Sequence, residues 1–175
     1  GIDYKNSVFQ YEDGTTKISF IWDQTINTTP SEGALFGTVY TREQINEALR
    51  SENPESIVPH TDEVGHGTFL ASIAAGRKEG NFTGAAPEAD IIAVKLKYAS
   101  NYYRKKFLVP EEQQIAFEAT DIMLALEFAT SKALQMGKPS VVCLGLGSNF
   151  GGHNGKNRLE EYITDLSSNV GVFVA

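Results

Sequence analysis

The residues of this chain best suited to chemistry are its three histidines, and their surroundings differ. His66 stands in Asp62-Glu-Val-Gly65-His66-Gly67-Thr68, with a glycine on each side and the apolar stretch Phe69 to Ala75 directly after it. Flanking glycines clear space around an imidazole. A histidine at a helix N-terminus also meets the positive end of the helix dipole, which suits a neutral general base. The same position would equally serve a histidine that only caps its helix. His60 follows Pro59 and forms, with Asp62, Glu63 and His66, a cluster of metal-ligand types, but the spacing matches no common pattern such as HExxH. His153, among Gly151, Gly152 and Gly155, reads as an exposed loop residue.

Several familiar chemistries are excluded. Gly145-Leu-Gly147-Ser-Asn-Phe-Gly151 has one residue too many for the GxGxxG dinucleotide fingerprint. No GxxxxGK[ST] phosphate loop and no GxSxG nucleophile elbow occurs. The single cysteine, Cys143, rules out an intrachain disulfide, a Cys₄ zinc site and a CxxC redox pair. Within Val141-Val-Cys-Leu144 it is expected to be a small buried apolar residue.

The elements that must position these residues follow from periodicity. Lys17 to Trp22 is β-branched and aromatic, hence a strand, and a loop over 27–40 ends in a short strand at 38–40. Thr41 and Gln44 predict a capping box opening a helix over 42–50. A second helix runs over 66–75 and stops at Gly76, and Ile91 to Lys97 is a strand. Arg104-Lys105-Lys106 falls in a solvated loop over 98–110. Ile115, Ala119, Ile122, Leu126, Ala129 and Ala133 mark one long helix over 111–136. Residues 140–146 form a strand of the kind buried on both faces. A glycine-rich loop over 147–155, a helix marked by Leu159, Tyr162, Ile163 and Leu166, and a strand over 170–175 complete the chain. Strands alternating with helices imply a three-layer αβα class with a mostly parallel sheet.

Composition agrees with a folded α/β unit. The 175 residues are 41% hydrophobic and 21% charged, and 15 Lys and Arg against 22 Asp and Glu leave a net charge of -7. An acidic chain argues against binding nucleic acid through its phosphates. No apolar run approaches the roughly 18 residues needed to cross a bilayer, so no membrane partner is expected.

Gly65-His66-Gly67-Thr68 followed by a helix of small residues resembles the histidine motif of the subtilisin-like serine peptidases, the subtilases. Gly84-Ala-Ala-Pro87-Glu-Ala89 with the strand from Ile91 resembles that family's turn and strand. Leu144 to Gly147 is similar to its cleft-lining segment, and Gly171 to Ala175 to the strand leading into its oxyanion asparagine. Gly1-Ile-Asp-Tyr4 looks like the segment just after the catalytic aspartate, which makes Asp3 a residue beyond that motif. Ile21-Trp-Asp-Gln-Thr25 and Gly37-Thr-Val-Tyr40 are closer still to the clostridial Csp-type germination proteases, some of which are active and some pseudoproteases.

The resemblance implies that residues 1–175 are part of one subtilisin-like peptidase domain, beginning just after the aspartate motif and ending just before the oxyanion segment. It implies peptide-bond hydrolysis by a Ser-His-Asp triad of which only His66 is present, so the chain alone is expected to be inactive. Gly145, Leu146 and Gly147 are expected to bind the substrate, a protein or peptide, and the remainder of the same catalytic domain is the expected partner. No cofactor is expected; calcium is held by many family members, but no ligands stand out here. The setting implied is a secreted or spore-associated bacterial protein. The other reading left open is a pseudoprotease that binds peptides or partners without cleaving them.

Overall fold

The computed structural model describes residues 1–28, 34–113, 115–148, 151–169 and 171–175. Residues 29–33 of the expected first loop, Gln114 of the long helix, Asn149 and Phe150 of the glycine-rich loop and Val170 of the last strand lie outside the described residues. The chain divides into two compact units, Gly1–Lys95 and Leu96–Ala175.

In the first unit the strand β1 (Ile18–Asp23) is almost wholly buried, as its β-branched and aromatic run requires. It pairs antiparallel with β2 (Thr38–Thr41) and parallel with β3 (Ile91–Lys95), giving the order β2-β1-β3. Thr41 ends β2 and caps α1 (Arg42–Arg50): its hydroxyl accepts the Gln44 N–H while the Gln44 side chain accepts the Thr41 N–H, the capping box expected from sequence. Ile45 and Ala48 of α1 enter a core with Ile2, Tyr4, Phe9, Ile18, Ile21, Val58, Ala75 and Ile91. The helix α2 (His66–Ala75) begins and ends where the sequence places it. Its C-terminus is held by the buried Lys17, whose Nζ donates to the carbonyls of Ala75 and Pro87. Burial pushes the Lys17 amine below its ordinary value.

In the second unit α4 (Ala119–Gln135) buries Ile122, Leu126, Phe128 and Ala133, and β4 (Ser140–Val142) pairs parallel with β5 (Val172–Val174) across α5 (Arg158–Ser167). The parallel pairings β1/β3 and β4/β5 are each joined through helices, as parallel neighbours must be. These small sheets and their helices make an incomplete αβα arrangement, with β2 as the antiparallel exception.

The second unit departs from expectation in three places. Residues 98–110 are not all loop: Ser100 caps a short helix, α3 (Asn101–Lys106), with Arg104, Lys105 and Lys106 in its last turn. The long helix starts at Ala119, because 115–118 lies along 98–100: the Ala99 N–H donates to the Ala116 carbonyl at 2.8 Å, Glu118 accepts the Ser100 N–H at 2.9 Å, and the Tyr98 and Phe117 rings stack. The strand expected over 140–146 is regular only to Val142, with Val141 74% exposed and Cys143 exposed rather than buried. An apolar run records hydrophobicity but not which neighbour covers it.

Candidate active site

His66 is the first residue of α2 and is exposed. The helix starts there because Gly65, at the N-cap, takes φ +80°, the left-handed region that glycine enters without strain. Gly65 has no side chain with which to cap, so Asp62 does it from further back. Its Oδ1 accepts the Gly65 N–H at 3.0 Å, and its Oδ2 accepts the Thr68 N–H at 3.0 Å and the Thr68 hydroxyl at 2.6 Å. Burial alone would raise the Asp62 carboxyl. Hydrogen bonds from the Thr68 hydroxyl and N–H and from the Gly65 N–H outweigh that and hold it down at about 2. Asp62→Ala is therefore expected to cost about 1–2 kcal/mol through the lost cap, read as a lowered melting temperature. The folded-state value is depressed from 3.8, so the carboxylate's contribution is full above that value and disappears as pH falls through about 2. The gap in melting temperature between wild type and Asp62→Ala should close over that interval, and a gap independent of pH would contradict the cap.

Gly1 to Tyr4 is moored to the loop before α2 and to the helix itself. The Ile2 N–H donates to His60 Nε2 at 3.2 Å, the Asp3 N–H to Thr68 Oγ1 at 2.8 Å, and the buried Tyr4 hydroxyl to the Val58 carbonyl at 2.9 Å. Burial, reinforced by Glu55 and Asp3, pushes the Tyr4 phenol up to about 12, so it stays a donor. Gly67 makes this approach possible: a Cβ there would sit 2.0 Å from the Gly1 carbonyl oxygen. The glycine after His66 thus accommodates the chain's own backbone. The Asp3 carboxylate accepts the Lys5 N–H at 3.2 Å.

Beneath this mooring lies a pair that no sequence motif joins. His60 Nδ1 is 2.6 Å from Asp23 Oδ2, and both side chains have 0% exposure. Because Nε2 accepts from Ile2, the proton is on Nδ1 and is donated to the carboxylate. Asp23 Oδ1 takes the Thr25 N–H at 2.9 Å and the Thr25 hydroxyl at 2.5 Å. Desolvation alone would raise the Asp23 carboxyl, but the hydrogen bonds from His60 and Thr25 outweigh it and leave it below its ordinary value. Beside Asp23 at the end of the sheet, Lys95 donates to the Thr61 carbonyl at 2.9 Å and to Glu63 at 2.8 Å. The four ligand-type residues of 60–66 are thus not gathered around a common centre, and among the described residues no group of three or more His, Cys, Asp or Glu is placed to hold a metal ion. A charged residue closing an apolar strand is the sequence signal for Asp23, but nothing local points to His60 as its partner.

Gly145, Leu146 and Gly147 belong to the second unit and are exposed, in the segment following β4. A Cβ on Gly147 would meet nothing within 4 Å, and its φ is not in the left-handed region, so neither crowding nor conformation within the chain requires glycine there. His153 is an exposed residue with φ 47°.

Comparison with known proteins agrees with this layout. The family model for subtilases (Peptidase S8) matches residues 8–169. Among solved structures the chain is similar to the Clostridium perfringens CspB protease, with TM-score 0.81 and 35% sequence identity over 99% of this chain and 33% of that one. The chain therefore spans about a third of that protein's length. No curated protein sequence matches it.

Proposed function

Because the chain belongs to the subtilase family, we propose that it supplies the general base of a serine endopeptidase, and that the base is His66. The observation that carries this reading is the exposed imidazole at the first position of α2, on a helix start braced by Asp62 and by the backbone of Gly1 to Tyr4. A base that must meet substrate needs both access and a fixed bearing.

In the proposed reaction the nucleophilic serine and the orienting carboxylate come from parts of the parent protein outside these 175 residues, the carboxylate from the segment preceding Gly1. The serine oxygen attacks the scissile carbonyl as His66 takes its proton. The same proton then goes to the leaving amine, and water repeats the cycle on the acyl-enzyme. Gly145, Leu146 and Gly147 lie along the extended substrate, with Gly147 leaving room for it. The apolar Phe69 and Ile73 of α2 and Val141 and Phe173 of the β4/β5 pair, all exposed, are taken as surfaces covered by the remainder of the domain.

Fluorophosphonate labelling combined with a fluorogenic peptide assay tests the proposal. The parent protein should label at one serine and turn the peptide over, while the 175-residue chain alone should do neither, since base, nucleophile and carboxylate act as a unit. A parent that binds peptide but neither labels nor cleaves would establish the pseudoprotease reading instead.

A further inference from the structure

The Asp23–His60 pair is expensive to bury and has no access to substrate. Both side chains have 0% exposure, and the Nε2 that a catalytic imidazole would present to a substrate is occupied by the Ile2 N–H. A buried carboxylate with an imidazole is seldom a better source of stability than apolar residues of similar volume, so its use here points to direction rather than adhesion. What it directs is the Ile2 backbone. Asp23, at the end of β1 between Thr38 and Lys95, fixes His60 through Nδ1, and His60 fixes Ile2 through Nε2. Ile2 adjoins Gly1, whose carbonyl oxygen would lie 2.0 Å from a Cβ on Gly67, the residue after His66.

We propose that Asp23 and His60 form a positioning pair, which transmits the register of the β2-β1-β3 sheet to the backbone of Gly1 and Ile2 and so sets the carboxylate-bearing segment before Gly1 against His66. The role rests on the reading of His66 as the base. Neither residue touches the reacting atoms. Mooring at Asp3 and Tyr4 would hold the segment in place without the pair, but of these three bonds the one to His60 lies nearest Gly1.

The test uses the full-length parent protein and reads kcat, KM and melting temperature. The double variant Asp23→Asn/His60→Met removes the Ile2 acceptor without leaving an unpaired buried charge. It should bind peptide with KM within about threefold of wild type while kcat falls about 10- to 100-fold, the scale of a misplacement of about 1 Å at the reacting centre. His60→Gln carries both a donor and an acceptor and should hold kcat within about threefold. Should the double variant fold too poorly to assay, His60→Asn is judged by the same criteria, because its amide reproduces the Nδ1 side of the ring and is too short to reach Ile2. Wild-type kcat in the double variant, or equal losses of kcat, KM and melting temperature in which His60→Gln is no better, would overturn the positioning role while leaving His66→Ala inactive. A wild-type parent without turnover, or a His66→Ala variant that keeps it, would instead remove the base and the positioning role together.

Discussion

Replacing His66 by alanine in the parent protein is expected to lower kcat by about 10⁴- to 10⁶-fold, the largest effect of any single change in this chain. Without a base the serine stays protonated at the moment of attack, and the leaving amine receives no proton. The fold should not suffer. The imidazole is exposed, the helix start is capped by Asp62 rather than by His66, and alanine is the better helix former. Melting temperature should therefore stay within a few degrees of wild type, and KM should change little, since in the proposed reading substrate binding falls to Gly145, Leu146 and Gly147. A fall in kcat of less than about tenfold with an unchanged melting temperature would reduce His66 to a residue at a helix start and move the general base to another residue of the parent protein.

Legibility in the sequence tracks the range of the interactions. The helices α1 and α2 are readable, because the Thr41–Gln44 box and the Gly65-His66-Gly67 sequence determine their starts within a few residues. The Asp23–His60 pair is not, since it joins residues 37 apart through the register of β1 against the loop before α2. In sequence His60 looks like one of several ligand types close together, whereas Asp62 and Glu63 turn to Thr68 and Lys95. The start of α4 is hidden for a similar reason: Ile115 continues the helical period, yet the backbone bond from Ala99 to Ala116 holds 115–118 out of the helix. Gly67 suggests room around the imidazole, but the space is filled by Gly1.

Crowding at Gly67 produces the second large effect. A glycine inside a helix usually costs about 1 kcal/mol relative to alanine, so Gly67→Ala would ordinarily stabilise the protein. Here the sign should reverse. The new Cβ would stand 2.0 Å from the Gly1 carbonyl oxygen and 3.1 Å from its carbon, and these are backbone atoms that cannot rotate away. Either α2 or the Gly1–Ile2 segment must move by more than an ångström, and that segment is tied down by His60 at Ile2 and, through the adjoining Asp3 and Tyr4, by Thr68 and Val58. The expected result in the parent protein is a melting temperature lowered by the cost of overpacking, about 1–3 kcal/mol, together with a fall in kcat of at least about 100-fold as the carboxylate-bearing segment is pushed off His66. Gly65→Ala supplies the contrast. A Cβ on Gly65 meets nothing within 4 Å, so the penalty there is only the left-handed backbone, about 1–2 kcal/mol, and Gly65→Asn should recover part of it. Crowding at 67 and conformation at 65 are thereby separated. A Gly67→Ala protein that melts higher than wild type and keeps its kcat would mean that the first residues of the chain do not lie across α2, and the mooring of Gly1 to Tyr4 would have to be abandoned.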